Sequence, residues 1–349
     1  MADAVSSPSS AARPSAALLV LGLLVLAIVL RTSEWQAGTA IGRMAPLVAT
    51  ATAVGLMFVV ATRTFSTAAT GLLAAGFLVS MPMVWLAARA SSDGLLTLPL
   101  VVGWLLSCRR FSETSDRIWI WAAGSSLGLG LYTHPAALVM MPAFVVISIA
   151  ALASSPAIPR RLVLELAGAF GVTAIPLAVF LVTHPEYIRM HVIANGLYDA
   201  QRFSPLQGLR EMSSWVGLTA RSEVYWDYFN PAFLFLSGRT ITGSVLRPQV
   251  LLLPFAVLLP AGLYRVASGK SVMNTWLLVG GLAVSPLAAA LNARPPSPER
   301  MLIAAPFIAL ICTHGVVELV TSQRRAVRLS GMAIIVAVIV TGAAFVRWG

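Results

Sequence analysis

Long apolar runs separated by short polar breaks dominate the chain. A bilayer crossing needs about 20 mostly apolar residues, and about eleven stretches approach that length. They centre on 16–30, 45–62, 67–87, 94–108, 118–132, 136–154, 163–183, 249–266, 273–291, 302–320 and 330–346. The pattern predicts an all-α polytopic membrane protein. Gly and Pro fall inside several runs, as membrane helices tolerate when neighbours re-satisfy the backbone. Residues 1–15 are rich in Ala, Ser and Pro and read as a disordered tail, which leaves 16–349 as one membrane domain. Only Arg13 precedes the first run and many spans follow it, so it reads as a retained helix rather than a cleaved signal.

One polar interruption is long, 184–247. Near its end, between Glu223 and Gly238, three acid or amide groups (Glu223, Asp227, Asn230) stand among six aromatics. That is too aromatic for disorder. Two readings fit: an interfacial helix with Tyr and Trp at headgroup level, or a functional loop that covers a site.

Composition agrees with the spans. The chain has 349 residues, 58% of them hydrophobic and 11% charged, with mean hydropathy +0.84; a soluble domain carries about 25% charge. The net charge of +11 does not point to nucleic acid, because the basic residues sit mostly in short connections between spans. Cys108 and Cys312 form no CxxC or His/Cys cluster, so neither zinc nor a disulfide framework is indicated. No phosphate-binding G-x-x-x-x-G-K-[ST] is present, nor H-E-x-x-H.

Orientation follows from those basic residues. One side, the N-terminal tail with alternate short connections, holds Arg13, Arg63, Arg109, Arg110, Arg117, Arg160, Arg161, Arg265, Lys270, Arg324, Arg325 and Arg328. The other holds fewer: Arg31, Arg43, Arg89, Arg294, Arg300 and Arg347. By the positive-inside rule the N-terminus and the first set are cytoplasmic, and the 184–247 loop is exoplasmic. Glu34, the Arg89–Asp93 turn, His134 and Glu299–Arg300 then share its face.

Several groups on that face could carry chemistry. Arg89 and Asp93, four apart, would share a helix face and pair; this is either a local ion pair or an acid tuned at a cavity rim. Asn292 to Arg300 is stiffened by three prolines and puts Arg300 in the first turn of a span. There a guanidinium either anchors the interface or binds a lipid phosphate. Tyr132 and His134 lie in a Pro-broken turn, and Glu34 is the sole acid between the first two spans. Mid-span charges, which a secondary transporter would need, are nearly absent.

The order of features resembles polytopic glycosyltransferases of the GT-C superfamily, the protein O-mannosyltransferase and aminoarabinose-transferase-like group in bacteria. Four stretches carry the likeness: Gly42 to Pro46 with Thr64–Phe65, Ala87 to Asp93, Gly128 to Ala137, and Tyr228 to Gly238, the last being the most specific. The resemblance spans roughly residues 40–320. It implies transfer of a sugar from a polyprenyl-phosphate donor to an unknown glycan, lipid or protein acceptor at the exoplasmic face of a bacterial plasma membrane. The family expects an acidic base in the first outer loop. Here that loop is short, so the base is Glu34 or Asp93, or the chain begins inside a longer one, or it no longer catalyses. Arg300, with Arg89 or Arg43, would stabilise the departing phosphate. His134, Tyr132, Tyr228, Asn230 and Asp227 would contact substrate. One or two carboxylates make at most a thin site for a divalent metal. The alternative is an inactive relative that binds or helps translocate lipid-linked sugars. Only one of the 24 basic side chains is Lys, in keeping with a GC-rich bacterial genome.

Overall fold

The computed structural model describes residues 40–89, 92–154, 158–195, 197–198, 202–236, 238–239, 246–247, 249–269, 271–292 and 295–348. Glu34, the tail and the first apolar run lie outside these. Every later apolar run becomes helix. In order these are α1 (Ala40–Phe65), α2 (Ala68–Ser80) with α3 (Pro82–Arg89), α4 (Leu98–Thr114) entered through a 3-10 turn (Asp93–Thr97), α5 (Ile118–Gly130), α6 (Ala137–Ala153) and α7 (Arg160–Thr183). After the polar interruption come α12 (Phe255–Ala267), the broken α13 (Val272–Ala290), α14 (Ala305–Val320) entered through the 3-10 turn Pro298–Ala304, and α15 (Arg325–Trp348). Among the described residues six helices are long and apolar enough to cross a membrane. The pair α2–α3, bent by 59° where Pro82 removes a backbone donor, makes a seventh candidate. The protein is an all-helical, multi-pass membrane protein. Its shorter apolar helices α5, α6 and α12 fall below the usual length of a complete crossing.

The interruption is itself mostly helical: α8 (Pro185–Asn195), α9 (Pro205–Met212), α10 (Trp215–Asp227) and α11 (Pro231–Phe235), followed by a two-residue strand pair, Gly238–Arg239 with Leu246–Arg247. Local chemistry explains the starts. Pro205 and Pro231 sit in first turns, where a missing N–H costs nothing. Ser204 and Gln207 form a reciprocal capping box, and Ser214 Oγ accepts from Gly217 N.

Membrane helices approach closely where small residues line the contact. Gly124 and Gly128 of α5 face α7 so tightly that a Cβ on either would collide with Leu166 O or Thr173. Gly262 of α12 and Gly315 of α14 meet in the same way, against Ile311 O and Leu258 O. Between these pairs lies an aromatic centre. Trp104 stacks on Phe144 at 5.1 Å, meets the edge of Phe307 at 6.1 Å, and donates Nε1–H to Ser148 Oγ at 2.9 Å.

The end of the helices opposite α8–α11 carries ion pairs. Glu113 is met by Arg63, Arg109 and Arg110 at 3.4, 3.2 and 3.6 Å, Glu165 by Arg161 and Arg117, and Glu318 by Arg265. These are the basic connections that the sequence assigns to the cytoplasm. Helix α13 is irregular, with a π turn at Trp276–Gly280 and a break at Ser285–Pro286. Ser285 Oγ turns back onto Gly281 O at 2.7 Å.

Candidate functional site

Six segments converge at the loop-side end around a cavity of about 350 Å³, within the range of small-molecule sites. It is lined by the entry to α4 (Ser92, Gly94, Thr97), the turn into α6 (134–136 and 138–140), Leu181 at the end of α7, Tyr187, Val192 and Leu197, the outer part of α13 with Leu291 and Asn292, and Glu299, Arg300, Leu302 and Ile303. Aliphatic side chains form most of the wall. The polar groups Ser92, His134, Tyr187, Asn292, Glu299 and Arg300 are spaced around it.

The turn that carries His134 is fixed from both sides. Tyr132 Oη donates to Thr173 O at 2.8 Å and accepts from Leu177 N at 3.2 Å, both in α7. Pro176 disrupts that helix locally, and the hydroxyl occupies the opened step of its ladder. Thr133 Oγ1 lies 2.8 Å from Thr97 Oγ1, with both side chains buried. Held between these anchors, His134 faces the cavity, and its Nδ1 accepts from Ala136 N at 3.1 Å. That bond makes Nδ1 the unprotonated nitrogen.

Arg300 stands on the opposite wall, in the first turn of the Pro298–Ala304 helix. Its Nη1 is buried and has no hydrogen-bond partner among the described residues. Behind it is Tyr228, wholly buried. Burial pushes the Tyr228 phenol above its ordinary value, while the nearby Ser297 backbone and Arg300 guanidinium oppose the rise. The hydroxyl lies beside Arg300, yet neither Tyr228 Oη nor Arg300 Nη1 completes a bond in good geometry among the described residues.

The other expected residues are more dispersed. Asp93 opens its 3-10 turn with an exposed side chain, and its neighbours Ser92 and Gly94, rather than Asp93 itself, line the cavity. The expectation that Arg89 and Asp93 share one helix face is corrected. Helix α3 ends at Arg89, Ser92 is extended, and Asp93 starts a separate turn. Arg89 and Arg43 are placed only by their backbones, at the end of α3 and the start of α1. Asn230 caps α11, its Oδ1 accepting from Ala232 N at 2.9 Å, and is exposed, as is Asp227. Tyr228, Asn230 and Asp227 are not among the lining residues. No group of three or more His, Cys, Asp or Glu able to hold a metal occurs among the described residues.

Sequence reasoning passed over Arg221. Its Nε donates to Leu291 O at 3.0 Å, Nη1 to Gly217 O at 2.9 Å and Nη2 to Leu197 O at 2.9 Å. Leu291 and Leu197 both line the cavity, so one guanidinium ties α10 to two parts of its rim. Tyr225 adds a bond from Oη to Ala283 O at 2.7 Å. The available signal was a single cation in an otherwise weakly charged helix.

No family model matches the chain, and no curated protein sequence does. Among solved structures it is similar to the apo form of the oligosaccharyltransferase from Archaeoglobus fulgidus, with a TM-score of 0.49 and 12% identity. That likeness covers 88% of this chain and 44% of the other, so the chain spans less than half of that protein's length.

Proposed function

We propose that this protein is a membrane glycosyltransferase of the GT-C type that takes its sugar from a polyprenyl-phosphate donor. The observation that carries the reading is Arg300, the one Arg or Lys on the wall of a largely aliphatic cavity lined by described residues. Burying such a group costs free energy unless an anion meets it. Phosphate is the anion that a guanidinium fork matches best, and the aliphatic walls suit the isoprenoid that carries it.

In the reaction, an acceptor hydroxyl oxygen bonds to the anomeric carbon as that carbon's bond to the phosphate oxygen breaks. The electron pair leaves with the polyprenyl phosphate, whose charge Arg300 stabilises. The hydroxyl proton passes to a carboxylate, Asp93 or Glu34. A single displacement inverts the anomeric centre. The acceptor is a glycan, lipid or protein on the exoplasmic side of a bacterial plasma membrane, with the N-terminus in the cytoplasm. A non-catalytic carrier of lipid-linked sugars is the second reading, favoured by the exposed position of Asp93 outside the cavity lining.

Purified protein in nanodiscs, supplied with polyprenyl-phosphate sugars, separates the two. Turnover that is lost in Asp93→Asn or Glu34→Gln supports the enzyme. Donor binding without turnover, unchanged in both variants but lost in Arg300→Ala, establishes the carrier instead.

A further inference from the structure

The segment that covers the cavity leaves apolar surface uncovered. In α9, Leu206 and Leu209 are exposed, while Gly208 on another face packs against the Tyr198 ring. In α10, Trp215 is 83% and Trp226 65% exposed, with Val216 and Leu218 exposed between them. Eleven residues at about 100° each bring Trp215 and Trp226 back to one stripe, about 16 Å apart. Thr219 and Ser222 complete that stripe. A second stripe of α10, about 100° round the helix, holds Arg221 and Tyr225, which fasten to Leu291, Leu197 and Ala283. The helix therefore has one face on the cavity rim and one aromatic face turned outward.

We infer that the outward face of α9–α10 lies in the headgroup region of the loop-side leaflet, with Trp215 and Trp226 as its anchors. Three observations select lipid as the occupant. Tyr225 and Arg221 pin α10 to the outer part of the membrane helix α13, so it sits at the bilayer rim rather than above it. Exposed apolar side chains also mark the preceding helices, Val179 and Val182 of α7 and Met190 of α8. The stripe itself alternates Trp with Thr and Ser, a composition suited to headgroup depth. Bilayer contact on one side and the Arg221 bonds on the other then make the membrane surface a support for the cavity rim. This holds whichever ligand the cavity takes.

The test is depth measurement in nanodiscs. Nitroxide labels go on Trp215→Cys and Trp226→Cys in a Cys108→Ala, Cys312→Ala background, with Ile175→Cys as a lipid-facing reference and Glu186→Cys as an aqueous one. The expected result is an oxygen-to-nickel-chelate collision ratio severalfold above that at Glu186, approaching that at Ile175. Nickel access equal to that at Glu186 overturns the inference. So does protection from both reagents, which would mean that a protein covers the face. Unlabelled protein gives a second measure that avoids the Cys background. Brominated phospholipids should quench the part of the emission that Trp215→Phe and Trp226→Phe remove, and equal quenching of wild type and variants overturns the inference.

Discussion

Tyr132 and Leu177 are joined by a side chain standing in for backbone. The phenol accepts the Leu177 N–H that a regular helix would direct to Thr173 O, and donates to that same carbonyl. Tyr132→Phe keeps the ring and strands both backbone groups. The expected loss is about 1–3 kcal/mol, the usual cost of leaving buried polar groups unmade, read as a lower midpoint in SDS or thermal unfolding. In a Pro176→Ala background α7 can close its own ladder, so the same change should cost less. Equal losses in the two backgrounds would show that the hydroxyl does not repair the proline step.

The Arg221 fork predicts a loosened cover when its shape is lost while its charge is kept. Lys presents a point charge and cannot reach Leu291, Gly217 and Leu197 together. Each bond from a charged donor contributes about 1.5–3 kcal/mol. Arg221→Lys should therefore speed hydrogen exchange across 205–235 while α6 exchanges as in wild type. Unchanged exchange in α10 would remove the clamp from consideration.

Close approach of α5 to α7 predicts unequal tolerance of glycine substitution. Gly128→Ala drives a methyl into Thr173 and should destabilise by about 1–3 kcal/mol. Gly168→Ala, with nothing within 4 Å of the added atom, should leave the unfolding midpoint unchanged. Equal midpoints for the two variants would show that the α5–α7 contact is looser than described.

Buried Tyr228 predicts a late-titrating phenol. Its folded value is raised, so the folded state holds the proton more tightly. Below the ordinary phenol range the group adds no pH dependence. As pH climbs past that range the unfolded chain ionises first and stability falls. Absorbance titration at 295 nm should show a late component that Tyr228→Phe removes. Loss of an early component instead would mean that the phenol is solvated.

Apolar periodicity made the architecture legible, because a bilayer demands long runs and nothing else in the chain supplies them. All ten runs within the described residues coincide with helix, and α2–α3 shows that one run can hold a bend where proline intervenes. The site was legible in part. Arg300 and His134 stand out as polar residues at the ends of spans, and both reach the cavity. The Arg89–Asp93 spacing assumes one helix, whereas α3 ends at Arg89 and a separate turn starts at Asp93. The Tyr132 hydroxyl bonds to the backbone of α7, and Asn230 Oδ1 to that of α11. Local spacing does not reveal which distant carbonyl or amide a side chain will meet.

The π turn at Trp276–Gly280 works as an inserted residue that sets azimuth. A five-residue hydrogen-bonded turn holds one residue more than the regular helix. Winding the same residues as ordinary helix would rotate everything beyond by about 100°. Ser285, Ala288 and Ala289 would then swing out of the cavity wall, although no lining side chain had been changed. The shape of the cavity is thus written partly in how the chain winds at a turn that does not itself line it.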